Sequence, residues 1–156
     1  MEKTRHYVNN LTFQLDVTSR MIYNLIENYF KDEFKNKVTL EEYIVLDTIA
    51  CYPHVDNNLL AKVLVKPRQS VDKVLASLRR KRLINEVRPR NNEIQLTSFE
   101  LTLSGEKILN EILPHNDIMV TVMAKFMTES ELTSFTKTLL KMRNIVISLS
   151  NIDYKP

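Results

Sequence analysis

A single glycine, Gly105, among 156 residues is the feature that most limits what this chain can become. Phosphate-cradling loops, dinucleotide fingerprints and nucleophile elbows all need glycines where backbone turns sharply or approaches a ligand closely. None of those devices fits here. With five prolines besides, the chain has few residues that break helices, which predicts a mainly α protein with short connections. One cysteine, Cys51, excludes an internal disulfide framework and a cysteine-rich zinc site. His6, His54 and His115 stand far apart with no partner at ligand spacing, so neither a metal nor another cofactor is expected. The N-terminal stretch lacks the apolar run of a secretory signal, and nothing approaches the ~20 apolar residues of a membrane span. A cytoplasmic protein without a membrane partner is the expectation.

Positive charge is concentrated in one place. Between Lys66 and Arg90 nine basic residues meet only Asp72 and Glu86, a local net of +7 in a chain whose total is +3, leaving −4 for the rest. Such a local excess is the footprint of a polyanion binder, because each phosphate contact releases condensed counterions. An enzyme has little support, since Glu41, Glu42, Glu129 and Glu131 belong to helix starts and no nucleophile has an adjacent base.

Leu11, Leu15, Ile22, Leu25 and Tyr29 recur at helical spacing and predict a long amphipathic helix from about Tyr7 to Phe34. Met21, Ile26 and Phe30 widen its apolar flank beyond one stripe. Thr39 and Glu42 read as a capping box for a helix reaching Cys51, with Tyr43, Leu46, Ile49 and Ala50 inward and Cys51 a buried small hydrophobe rather than a redox sensor. Asp56 or Asn57 caps a short helix over Leu59 to Leu64. Pro67 opens the next, in which Val71, Val74, Leu75 and Leu78 face inward while Arg68, Gln69, Asp72, Lys73 and Ala76 face out.

After Leu83 the period falls toward two, so Ile84 to Arg88 and Ile94 to Leu101 predict a β-hairpin with Asn91 and Asn92 at its tip. A helix carrying Ile108, Ile112, Met119, Val122, Met123 and Phe126 follows, kinked at Pro114. A second capping box, Thr128 to Glu131, opens the last helix. There Leu132, Phe135, Leu139, Met142, Val146 and Leu149 alternate by three and four, the pattern of a helix-to-helix seam.

Three helices followed by a hairpin is the winged helix-turn-helix order, in which the third helix enters the major groove. Arg68 and Gln69 at its start suit guanine and adenine edges, and Lys66, Ser70 and Lys73 suit phosphates. Arg88 and Arg90 on the wing, with Asn91 and Asn92 at its tip, reach toward backbone or minor groove. Asp72 either accepts from a cytosine amine or orients Arg68 one turn earlier.

The chain resembles the MarR family of transcription regulators. The resemblance rests on Leu60-Ala61-x-x-Leu64, then Val71 and Leu78, Leu83-Ile84, and Leu101-Thr102-x-x-Gly105. It implies one domain over 1–156, with dimerisation helices over 7–35 and 104–150 around a DNA-binding lobe over 39–101. It further implies a homodimer in which the first helix and the last two intertwine, with Leu11, Leu15, Ile22, Leu132, Phe135, Leu139, Met142, Val146 and Leu149 at the contact. The dimer would grip a pseudo-palindromic operator in double-stranded DNA as a repressor, and a small-molecule effector would act between the dimer helices and the lobe. Three positions depart from the family: Arg82 stands where glycine is usual, Glu86 where arginine is usual, and Glu93-Ile94-Gln95 where Asp-x-Arg is usual. Arg82 should cap its helix less well than glycine, by roughly 1 kcal/mol. The altered wing keeps open a second reading, a winged-helix protein-interaction adaptor with weak or no DNA binding.

Overall fold

The computed structural model describes residues 8, 10–34, 37–88, 97–115 and 123–150. Two compact units divide the chain, Met1–Glu41 and Glu42–Pro156. In the first, α1 (Leu11–Glu33) starts at Asn10, whose side chain accepts from the Phe13 amide at 2.9 Å. Phe30 in its last turn and Phe34 just after it are buried, their ring centroids 5.1 Å apart, and Tyr29 meets both edge-on. Along α1 the apolar side chains Leu11, Met21 and Leu25 are exposed.

The second unit holds α2 (Leu40–Cys51) from Glu42 onward, with α3 (Asn57–Val63) and α4 (Arg68–Arg80). α2 is buried on almost every side: Tyr43, Val45, Leu46 and Ile49 are inside, and so is Thr48, whose hydroxyl donates to the Ile44 carbonyl at 2.7 Å. Ala50 and Cys51, expected inward, are instead exposed. A helix covered nearly all round has no narrow stripe for a periodic pattern to reveal. α3 is capped by Asp56, which accepts from the Leu59 amide at 2.7 Å. The expected inward set of α4, Val71, Val74, Leu75 and Leu78, is buried, and each such side chain contributes about 1.5–3 kcal/mol of transfer free energy.

β1 (Ile84–Val87) and β2 (Ser98–Leu101) pair antiparallel with Ile84 opposite Leu101 and Val87 opposite Ser98. Asp56 adds a bridge to Ser98, and the Phe99 amide donates to the Val55 carbonyl, so the turn before α3 is stitched to the hairpin. α5 (Leu103–Ile112) ends in a 3-10 turn, Leu113–His115, around Pro114. Met119 and Val122 of the expected kinked helix lie outside the described residues. α6 (Glu129–Ser150) opens with the capping box: the Thr128 amide donates to Glu131 at 2.8 Å and the Glu131 amide donates back at 3.3 Å. Among the described residues no helix is long and apolar enough to cross a membrane.

Three connections place a non-glycine residue at positive φ. His54 (φ 58°) is the third residue of a turn closed by the Val55 amide on the Tyr52 carbonyl, with Pro53 at the second position. Val65 (φ 51°) and Arg82 (φ 57°) follow α3 and α4. Each closes a Schellman motif: Lys66 donates to Ala61 and Val65 to Lys62, and Leu83 donates to Leu78 and Arg82 to Arg79. Glycine is the unstrained residue at such positions.

The one glycine serves a different need. A Cβ on Gly105 would lie 2.1 Å from the Leu83 carbonyl oxygen, far inside any real contact. Thr102 builds this junction: its amide donates to Leu83 O at 3.0 Å, its hydroxyl donates to Arg82 O at 2.8 Å, and the same hydroxyl accepts from the Gly105 amide at 3.0 Å.

Substitutions at the two ends of this junction should act in opposite directions. Gly105→Ala is expected to destabilise by about 1–3 kcal/mol through overpacking, whereas Arg82→Gly should stabilise by about 1 kcal/mol. Thermal denaturation reads both, and equal signs would refute the assignment. At α6 the Thr128 amide, then its hydroxyl, hold the Glu131 carboxyl below the usual glutamate range against a smaller opposing effect of burial. Its pKa is depressed on folding, so the cap is complete above the ordinary glutamate value and is lost as pH falls through the lowered one. Thr128→Ala should move the Glu131 titration, followed by NMR, back upward.

Candidate nucleic-acid interface

α4 presents three faces. The apolar side chains bury one. A second, bearing Ser77 and the following Lys81, meets Glu42 of α2: this carboxylate, only 4% exposed as a residue, accepts from Ser77 Oγ at 2.7 Å and from Lys81 Nζ at 2.6 Å. A third, bearing Arg68, Asp72 and Arg79, turns toward α3 and the hairpin. Here Asn57 Nδ2 donates to Asp72 Oδ1, and Arg79 pairs with Glu86 of β1 at 3.2 Å. Between them lies an open cleft of about 330 Å³ lined by Asn57, Arg68, Asp72, Arg79, Glu86 and Phe99 among others.

What these pairings leave outermost is the run Gln69, Lys73, Ala76 and Arg80, all exposed and spaced to share one helix face. Among the described residues Arg68, Lys73, Arg80 and Arg82 make no ion pair. Both acids of the basic window are engaged within the fold, so the outer face carries donors and no carboxylate. α4 begins at Pro67 with no side-chain cap, its first turn closed by the Ser70 amide on the Pro67 carbonyl.

The structure therefore brings Lys66, Arg68, Gln69, Ser70 and Lys73 together at the start of α4, with Lys66 and Ser70 half-buried and the others exposed. Asp72 is half-buried and bound to Asn57, a partner fifteen residues away that no local pattern indicated. Arg88 is exposed at the base of the wing, 3.9 Å from Glu86. Arg90, Asn91 and Asn92 lie outside the described residues, as do Glu93 and Gln95. Sequence reasoning passed over two residues. Glu42 was taken up by its helix start, and nothing in the chain linked it to Ser77. Arg80 was legible, since it continues the Gln69, Lys73, Ala76 spacing, but it was submerged in a run of four basic residues.

No family model and no curated protein sequence matches the chain. Solved structures do. A MarR family transcription regulator aligns with TM-score 0.71 at 20% identity, covering 90% of this chain and 93% of its own. This is the MarR-type winged-helix fold. MepR of Staphylococcus aureus, crystallised with DNA, aligns with TM-score 0.72 at 19% identity over 90% of this chain and 99% of its own. The organohalide-sensing transcriptional regulator RdhR, in its 2,4-dichlorophenol-bound form, aligns with TM-score 0.78 at 19% identity over 100% and 94%. In the MarR-type frame α3 and α4 with the turn at Val65 form the helix-turn-helix, and β1 and β2 form the wing.

Glu42 is the buried anchor of α4 in this frame. Glu42→Ala removes the carboxylate that Ser77 and Lys81 share, and is expected to lower stability by about 1–3 kcal/mol. A urea midpoint that shifts by less than about 0.5 kcal/mol equivalent would show that the clamp does not hold the helix.

Proposed function

We propose that this protein is a dimeric, sequence-specific DNA-binding transcription regulator that acts as a repressor, and not an enzyme. The observation that carries the reading is the outer face of α4, cationic and free of carboxylates because Asp72 and Glu86 are engaged inside the lobe. In the major groove Arg68 and Gln69 address base edges, Lys66, Ser70 and Lys73 address phosphates, and Asp72 stays with Asn57. The wing follows the backbone through Arg88 and, at its tip, Arg90, Asn91 and Asn92. MepR, a regulator of this fold crystallised with DNA, supports the same use.

A second copy of the chain completes the site. α6 exposes Phe135, Leu139, Val146 and Leu149, and α1 exposes Leu11; with Leu15, Ile22, Leu132 and Met142 these apolar side chains form the dimer contact. Two recognition helices then meet half-sites about one helical turn apart on a pseudo-palindromic operator. A small-molecule effector, of the kind bound by RdhR, acts by shifting how often that separation fits. The adaptor reading retains one specific support, Glu86, which draws Arg79 and Arg88 toward itself.

Binding to random-sequence duplex across a salt series separates the two. Log affinity should fall steeply with log salt, by about 0.9 per phosphate neutralised, and Lys73→Ala should reduce the slope by about 1 on every sequence. A flat or undetectable response at low salt would replace the regulator with the adaptor.

A further inference from the structure

Among the described residues of α4, Ala76 is the one exposed apolar side chain. It stands between Lys73 and Arg80 on the outermost line of the helix, the line that begins with Gln69. From Gln69 to Arg80 that line rises about 16 Å at 1.5 Å per residue, or roughly five base pairs at 3.4 Å each. Its ends carry long donors and its middle carries a methyl group. A helix so built comes closest to a groove floor at the small residue, while the donors on either side reach outward past it.

Two features of the neighbourhood fix this geometry. The Glu42 clamp on Ser77 and Lys81 and the Asn57 contact to Asp72 hold α4 from opposite flanks, so the helix is not free to roll Ala76 aside. Polar edges dominate the floor of the major groove, and the apolar group displayed there is the C5-methyl of thymine.

We propose that Ala76 is a specificity-determining residue: its methyl packs against the C5-methyl of a thymine in each half-site, and Arg80 anchors the helix to a phosphate one turn further on. This rests on the DNA-binding reading given above. It extends base selection from the first turn of α4 to its middle, and gives the half-site a thymine preference that hydrogen-bond donors do not supply.

The test uses the full chain and an operator selected from a random duplex pool. Each thymine of a half-site is replaced in turn by deoxyuridine, which removes only the C5-methyl. One replacement should weaken wild-type binding about four-fold, as expected for one buried methyl group, and Ala76→Gly should bind the thymine and deoxyuridine duplexes equally. The readout is a ratio for one protein on two duplexes, so any loss of helix stability in the variant cancels. Arg80→Ala should lower affinity for every duplex alike and reduce the salt slope by about 1. The proposal is overturned if no thymine methyl matters to the wild type, or if the effect persists in Ala76→Gly. Selection that yields no operator, with no salt-dependent binding to random duplex, would instead remove the DNA-binding reading and this assignment with it.

Discussion

The carbonyl oxygen of Leu83 is the point on which the lobe turns. It accepts the Thr102 amide at 3.0 Å and lies where a Cβ on residue 105 would stand, 2.1 Å away. The Leu83 amide meanwhile closes α4 by donating to Leu78. One residue thus ends the candidate recognition helix, begins the hairpin and seats the next helix. Because backbone touches backbone here, no side-chain rearrangement can absorb a change, and α4, the wing strands and the start of α5 are obliged to keep one mutual geometry.

The three residues at positive φ show what the chain accepts elsewhere in order to keep its connections short. A left-handed conformation costs an L-residue about 1–2 kcal/mol, and Val65, β-branched and 69% exposed, has little packing to offset it. Both Schellman motifs form nonetheless, because the alternative leaves helix carbonyls unpaired. Strain of this kind persists where surrounding structure over-determines the backbone, and α4 is bounded by it at both ends.

Much of this fold was legible in the chain. The inward set of α4, the Asp56 and Thr128 caps, and the change of period after Leu83 are all local patterns, and local patterns are what a sequence displays. Facing in α2 was less legible, because burial on nearly all sides erases the contrast that would have placed Ala50 and Cys51 outside. The site was legible in its charge and hidden in its pairings. Asn57 with Asp72 spans fifteen residues, and Glu42 with Lys81 spans thirty-nine; such contacts exist only once helices have packed. Spacing shows the outward position of Asp72, whereas its contact with Asn57 exists only in the packed lobe.

The engaged acids also shape the field around the protein. Beyond a Debye length of about 8 Å a polyanion would meet only the screened field of a chain with a net charge of +3, whereas closer in it would meet the +7 window itself. At contact it meets Lys73, Arg80 and their neighbours with the carboxylates turned away. For a polyanion meeting such a surface the attraction is steepest within the last few ångströms, where the locally unbalanced cations, and not the total charge of the chain, set the field.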